Sequence, residues 1–417
     1  MWYFRGLHFL LVQINKLPIS PVSTAAASAV QGLPVAEPRA RRVFFPNLNG
    51  LRFLAVLLVI VDHVEEMRND FGLSSYWVHP AVPMLGQLGV TLFFVLSGFL
   101  ITYLLLAEKE TLGEIKFGAF YLRRALRIWP LYYVVVLLGL FVLPRINFFT
   151  FPGLTPLVHE HLAAKAAWYA LILPNVAKEL YPAVPYLSQA WSIGVEEQFY
   201  IIWPVLVHLS HRYARNFLLL AGGIYVVGQL SWALTTPQRH LLPINELTTF
   251  VKNFLYFFRI QCMAIGGLFA LLLFRNRPAV LRALTARPVQ VALWVLLPLL
   301  ITRGQTFRYV TQEVYSVLFG LLVLNLALTE TSLVSLRLRV LDYLGRISYG
   351  LYMLHGIAVV VGIRFAGQVA ADGPVHHAIT FGVAVAVSIA LAAASYHFLE
   401  TPFLRLKKRF TRIQSGS

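Results

Sequence analysis

A chain of 417 residues that is 58% hydrophobic and 13% charged, with a mean hydropathy of +0.68, has too little polar side chain to coat one or two soluble cores. Its 35 Lys and Arg against 18 Asp and Glu give a formal net charge of +17, but these cations are scattered along alternate loops with no compact, aromatic-interleaved patch, which argues against nucleic acid as a partner and for a polytopic membrane protein. The single cysteine, Cys262, excludes an intramolecular disulfide and a cysteine-rich metal site, and its apolar surroundings read as core.

Residues 1–42 open on a broken apolar start, MWYFRGLHFLLVQ, and pass into a Pro-, Ala- and Ser-rich stretch without helical periodicity, the pattern of a mobile extension. Small residues at Ala25 to Ala29 follow an apolar patch as in a secretory leader, but Arg5 and His8 interrupt the run and no basic start precedes it. Apolar stretches of roughly membrane-crossing length then recur. They are Leu51 to Glu65, Gly86 to Leu106, Ile128 to Leu143, Trp191 to Ser210, Phe217 to Thr235, Lys252 to Phe274, Val289 to Ile301, Glu313 to Thr329, Ile347 to Phe365, and Ala378 to Leu399. The first and seventh are short. The expected fold is an all-α integral membrane protein of about ten transmembrane helices, its membrane domain covering residues 43–404, with a basic tail at 405–417. With the N-terminus inside, the cytoplasmic segments hold most of the basic residues, so both termini are predicted to be cytoplasmic.

Two connections are predicted to be long and therefore candidates for function, a cytoplasmic loop from Ala107 to Arg127 and an external one from Pro144 to Ala190. Within the second, Leu162 to Leu173 reads as a short interfacial helix. Only a short stretch follows the last apolar run, so no soluble catalytic domain is expected there. Internal repeats of the kind transporters carry are not evident.

Ionisable groups inside apolar runs point to function, because bilayer interior is expensive for charge. Arg52 and His63 lie in LRFLAVLLVIVDHV; at about 100° per residue they return to one helix face, roughly 16.5 Å apart along the axis. Further motifs follow in order: LFFVLSGFLIT at Leu92 to Thr102, FYLRRALRIWPLY at Phe120 to Tyr132, WSIGVEEQFYIIWP at Trp191 to Pro204, LGRISYGLYMLH at Leu344 to His355, and SYHFLETPF at Ser395 to Phe403. Taken together with FPNLNGLRFLAVLLVIVDHV at Phe45 to Val64, this series resembles the membrane-bound acyltransferase 3 family, of the O-antigen and exopolysaccharide O-acetylase type.

The resemblance implies that His63 is catalytic and Arg52 its essential partner, through the family's Arg-x10-His signature. Imidazole also suits the task independently, since acylating a hydroxyl requires taking its proton near neutrality; His63 would be the base or a transient acyl carrier. Glu66, three residues on, is within reach to hold the ring, whereas Asp62 projects about 100° away. Arg124 and Arg127 match the family's Arg-x-x-Arg element and suit the phosphates of acyl-CoA, the donor implied, most simply acetyl-CoA. Arg123 reads as an anchor. Glu196 and Glu197 complement a helix dipole, and one of them is expected to pair with the intramembrane Arg259, with Gln198 joining that network. Ser97 reads as a packing residue, because a serine nucleophile there needs a base that the sequence does not identify. His355 is expected to support the site or bind acceptor, and Glu400-Thr401-Pro402 to lock the last helix. His159, His161, His376 and His377 fall in external loops, and HEH lacks the spacing of a helical zinc site, so no metal is expected.

The implied activity is O-acylation of a cell-surface glycan such as O-antigen or exopolysaccharide in a bacterial inner membrane, with lipids, a glycan or lipid-linked saccharide acceptor and acyl-CoA as partners and no bound cofactor. A transporter or flippase with Arg52, Arg259 and His355 along its path is the alternative. One difficulty attaches to the enzyme: the loop charges place His63 toward the outside and Arg124 and Arg127 inside, across a core of about 30 Å. Either His63 lies deeper, or an acyl intermediate covers part of the distance.

Overall fold

The computed structural model describes residues 42–209, 216, 219, 223, 246–307, 310–411 and 414–415. The expected N-terminal extension and the fifth expected span, Phe217 to Thr235, lie almost wholly outside the described residues.

The first helix, α1 (Pro46–Asp70), opens with proline in its first turn, where the missing N–H breaks no helical bond. It is longer than its apolar stretch. The reason is that its polar N-terminal residues are satisfied inside the protein: Asn47 donates to the Leu326 carbonyl (3.0 Å) and accepts from the Leu336 N–H (2.9 Å), and Asn49 donates to Asp342 (2.8 Å). α2 (Ala81–Leu112) has 32 residues and ends where Gly113 adopts the left-handed conformation, φ 77°. α3 (Phe117–Leu137) follows after four residues, so the expected long loop from Ala107 to Arg127 is a tight turn, and its basic cluster rides on the start of a helix.

A π-helical turn (Leu138–Val142) carries α3 onward into a segment that is largely folded as short helices, α4 (Thr155–His159), α5 (Leu162–Ala170) and α6 (Pro174–Leu180). α7 (Trp191–Leu209) begins at the acidic block. Then come α8 (Glu246–Phe257), α9 (Ile260–Phe274), α10 (Pro278–Leu284), α11 (Arg287–Thr302), α12 (Thr311–Ala327), α13 (Arg339–Arg346), α14 (Ser348–Val369) and α15 (Pro374–Ala394). A second π-helical turn (Ser395–Glu400), in which Ser395 donates to Glu400 (3.0 Å), leads into α16 (Thr401–Lys408), which runs past the expected start of the basic tail at 405. Among the described residues, the departure from an all-helical fold is a pair of two-residue parallel strands, Arg42–Val43 beside Gln414–Ser415.

Among the described residues, 6 helical stretches are long and apolar enough to cross a membrane, or 7 if α10 and α11, bent by 41°, form one crossing. The protein is therefore a multi-pass helical membrane protein. α2 is its central post, packed on α1, α9, α12 and α7. Its contact with α9 is backbone-close: a Cβ on Gly98 would stand 1.9 Å from the Met263 carbonyl oxygen, and one on Gly266 2.1 Å from that of Val95. Gly345 meets the Asn49 carbonyl at 2.0 Å in the same sense, which joins α13 to the start of α1. Small residues at these crossings let the helices approach, as packing within lipid favours.

Candidate active site

Five of the six motifs, all but Ser395 to Phe403, contribute to the lining of one cavity between α1, α2, α3, α7 and α14. Its walls include Arg52, Arg124, Arg127, Ser97, Ser192, Glu196, Tyr200, Tyr349 and Tyr352. Its volume of ≈ 120 Å³ accommodates several waters or a short acyl arm. Three guanidinium groups thus face a single space, Arg52 from the first turns of α1 and Arg124 and Arg127 from the first turns of α3. Arg52 donates to Asn49 (3.3 Å), and the Arg124 guanidinium carbon lies 5.6 Å from the ring centroids of both Phe120 and Tyr200. The Arg124 Nε is buried with no protein acceptor. Arg123 turns away, to Glu108 (2.9 Å) and the Phe410 carbonyl (2.9 Å), and ties the α2–α3 turn to the chain beyond α16. A neighbouring cavity shares Arg52, Arg124 and Arg127 and adds Lys407. Sequence reasoning grouped Lys407 with the tail; α16 brings it back to the arginines.

Beside the arginines, Ser97 donates to the Glu196 carboxylate, which also accepts from the Tyr200 hydroxyl. Glu196 looks across to α2; Glu197, about 100° round the helix, has one oxygen 3.5 Å from the Trp129 indole N–H. Arg259 sits in the break between α8 and α9, its guanidinium carbon 5.7 Å and 5.8 Å from the Trp191 and Phe257 ring centroids. Gln198 exchanges hydrogen bonds with Asn175 (3.3 Å each) and so belongs to the α6–α7 contact.

The cavity's far end is closed by Tyr352, whose hydroxyl is fixed by Ser192 (2.8 Å) and the Gln189 carbonyl (3.0 Å). Behind it, the Tyr352 and His355 rings are 6.1 Å apart, and the His355 and His63 rings 4.8 Å. The two histidines are held alike. His63 Nδ1 lies 2.9 Å from the Val59 carbonyl and His355 Nδ1 2.7 Å from that of Tyr352. A carbonyl only accepts, so in each neutral ring Nδ1 carries the proton and Nε2 presents the lone pair. His63 Nε2 is 3.7 Å from Glu66, too long for a hydrogen bond, and His355 Nε2 is buried without a partner. Asp62 packs on Gly86.

Just past His63, a polar clasp covers the end of α1. The buried Arg68 donates to the Ser74 carbonyl (3.0 and 2.8 Å) and to Asp372 (3.0 Å), and contacts His376 (2.7 Å). Glu65 accepts from Ser75 (3.0 Å) and the Tyr76 N–H (2.7 Å) and pairs with His377 (2.7 Å). His376 and His377 are therefore in the first turn of α15 and not in a loop as expected. The Ser74 backbone N–H, its hydroxyl and Arg68 hold the Asp372 carboxyl below its ordinary range.

Tyr200 stands four residues after Glu196, and that spacing alone places both on one helix face. The pairing of Ser97 with Glu196 spans 99 positions and two helices, so no periodicity reveals it.

A family described as "Acyltransferase domain" matches residues 45–393. The Staphylococcus aureus (strain COL) protein named "Putative O-acetyltransferase SACOL0978" is 27% identical over 377 residues, covering 86% of this chain and 57% of that protein. O-acetyltransferase OatA of Staphylococcus aureus (strain NCTC 8325 / PS 47) is 28% identical over 378 residues, with the same coverage, 86% and 57%. The chain thus spans less than two thirds of the length of these curated relatives. No solved structure matches it.

Proposed function

The chain belongs to the acyltransferase domain family, and from that membership we propose that it is a membrane O-acetyltransferase that moves an acetyl group from acetyl-CoA to a hydroxyl of a cell-surface glycan such as O-antigen or exopolysaccharide, in a bacterial inner membrane. The observation that carries this reading is the convergence of Arg52, Arg124 and Arg127 on one cavity whose far wall backs onto His355 and His63. The two S. aureus relatives carry O-acetyltransferase in their names.

Guanidinium groups match phosphate geometry and keep their charge at any physiological pH. Arg124 and Arg127 take the donor's phosphates, with Lys407 and Arg52 extending the positive field. The pantetheine arm then lies in the cavity between Ser97 and Tyr349, with the thioester toward Tyr352. At the other end, His63 Nε2 takes the proton of the acceptor hydroxyl as its oxygen forms a bond to the acyl carbon and the bond from that carbon to its leaving group breaks; over the whole reaction the carbon–sulfur bond is lost and coenzyme A leaves as thiolate. The Val59 carbonyl keeps the proton on Nδ1, so the basic nitrogen is the one that faces the acceptor. His355, with Nε2 likewise bare, holds the acceptor hydroxyl beside it. Glu66 stabilises the imidazolium. No metal enters this scheme, and the partners are acetyl-CoA, the glycan or lipid-linked saccharide and membrane lipids.

The orientation with both ends in the cytoplasm, and a total of about ten spans, fit this chemistry because they put the arginines on the side where acetyl-CoA is made. The decisive experiment supplies labelled acetyl-CoA to membranes containing wild-type protein or His63→Ala. Label in glycan esters is expected with wild type and lost in the variant. Equal labelling in both sinks the role of His63, and substrate movement without acetyl-CoA consumption marks a transporter instead.

A further inference from the structure

Ser97 has chemistry around it that packing does not require. Thr102, on the same helix, returns its hydroxyl proton to the carbonyl four residues earlier, that of Gly98 (2.6 Å), the usual way for a helix interior to satisfy a hydroxyl. Ser97 instead gives its proton to Glu196, on another helix, and its oxygen lies 3.0 Å from the Tyr200 hydroxyl. All three line the cavity that holds Arg52, Arg124 and Arg127. A hydroxyl and a carboxylate that accepts its proton, the carboxylate itself fixed by a second hydroxyl, are the parts of an activated nucleophile. Position adds to the case. Arg52 and His63 are about 16.5 Å apart along α1, and Ser97 lies between these ends: one turn before it on α2, Phe93 packs its ring 5.8 Å from that of Tyr352, which borders His355.

We propose that Ser97 carries the acyl group as a transient ester, with Glu196 as its base, so that transfer proceeds in two steps. The inference rests on the acyltransferase reading above. In the first step the Ser97 proton passes to Glu196, Oγ bonds to the thioester carbonyl carbon, the carbon–sulfur bond breaks and coenzyme A departs as thiolate. Tyr200, which donates to Glu196, holds that carboxylate in place against Ser97 as the proton moves. In the second step His63 takes the acceptor's proton, the acceptor oxygen bonds to the ester carbon, the carbon–Oγ bond breaks and Glu196 returns its proton to Ser97. Solvent then takes the proton from His63 and gives one to the thiolate, and the sum is thioester plus alcohol to ester plus thiol.

The test uses the full chain in nanodiscs with labelled acetyl-CoA and no acceptor, followed by acid quench, proteolysis and mass spectrometry. One acetyl ester is expected on the peptide carrying Ser97, more abundant in His63→Ala, absent in Ser97→Ala, and formed about 100-fold or more slowly in Glu196→Gln. Ser97→Cys, which preserves shape if Ser97→Ala does not fold, is expected to hold the acetyl as a thioester released by neutral hydroxylamine. Wild-type membranes that acetylate glycan in a His63-dependent way, with no ester on Ser97, overturn this proposal and leave the acyltransferase reading standing; so does Ser97→Ala that acetylates at the wild-type rate. Wild-type protein that neither releases coenzyme A nor esterifies glycan removes both.

Discussion

Arg124 and Arg127 illustrate how little a charge count says at the scale of a residue. Arg123, beside them, is absorbed by Glu108 and a backbone carbonyl, whereas these two point into the cavity. If they bind phosphate through two parallel N–H bonds, lysine does not replace them, because an ammonium is a point donor. Arg124→Lys and Arg127→Lys are each expected to raise KM for acetyl-CoA about tenfold, the effect of one charge-assisted hydrogen bond at roughly 1.5 kcal/mol, with kcat largely kept. Coenzyme A release against donor concentration measures the split; a loss confined to kcat shows that the arginines act on the transition state. Asp372 gives a second residue-scale expectation. Its carboxyl titrates below the ordinary value of 3.8, because Ser74 donates to the ionised form. The stabilisation is thus complete above that value and is lost as pH falls through the lower folded one. Amide exchange over residues 71–80 is expected to speed up in that acid window, and Asp372→Asn to show the faster exchange already at neutral pH. The sequence singled out Arg52, His63 and His355 through their cost in an apolar run, and Arg124 and Arg127 through the motif that carries the family resemblance. It did not pair Ser97 with Glu196 or return Lys407 to the arginines, since those contacts exist only once separate helices are packed.

At the scale of the element, apolar length located most of the crossings, but it misjudged their ends wherever polar residues are buried in protein. Asn47 and Asn49 extend α1 because partners on α12, on the chain before α13 and within α13 hydrogen-bond to them; hydropathy scores such residues as if they met water. The turn after α2 was misread for a related reason, since Glu108 and Lys109 look like loop residues until Arg123 and the His208 carbonyl (2.9 Å) are found opposite them. Small residues were better guides. Gly98 is held against the Met263 carbonyl, backbone that cannot swing aside, so Gly98→Ala forces α2 and α9 apart. A loss of about 1–3 kcal/mol is expected, seen as a lower melting temperature in detergent. Gly118→Ala, where a Cβ meets nothing within 4 Å, serves as the control and is expected to be neutral or slightly stabilising. Equal effects at both positions rule out close packing at Gly98 as the cause.

For the molecule as a whole, contacts between distant segments sort into two groups, and each group falls on one side of the proposed membrane topology. Arg123 reaches the Phe410 carbonyl, Lys109 that of His208, and Arg42–Val43 pairs with Gln414–Ser415; all of these segments are cytoplasmic in that topology. Ser74 meets Asp372, and Arg364 donates to the Thr150 carbonyl (3.0 Å), all on the outer side. Segments that touch share a side of the bilayer, so an even number of crossings separates Val43 from Gln414. The orientation itself rests on the loop cations, which favour the cytoplasmic face. In a Cys262→Ser background, Glu114→Cys in the α2–α3 turn and Ala371→Cys beside the clasp place one thiol at each face. A membrane-impermeant maleimide is expected to label Ala371→Cys in intact cells and Glu114→Cys only after permeabilisation. The reversed pattern puts the arginines outside, away from cytoplasmic acetyl-CoA, and with them the donor site proposed above; labelling of both from one side breaks the grouping of contacts itself.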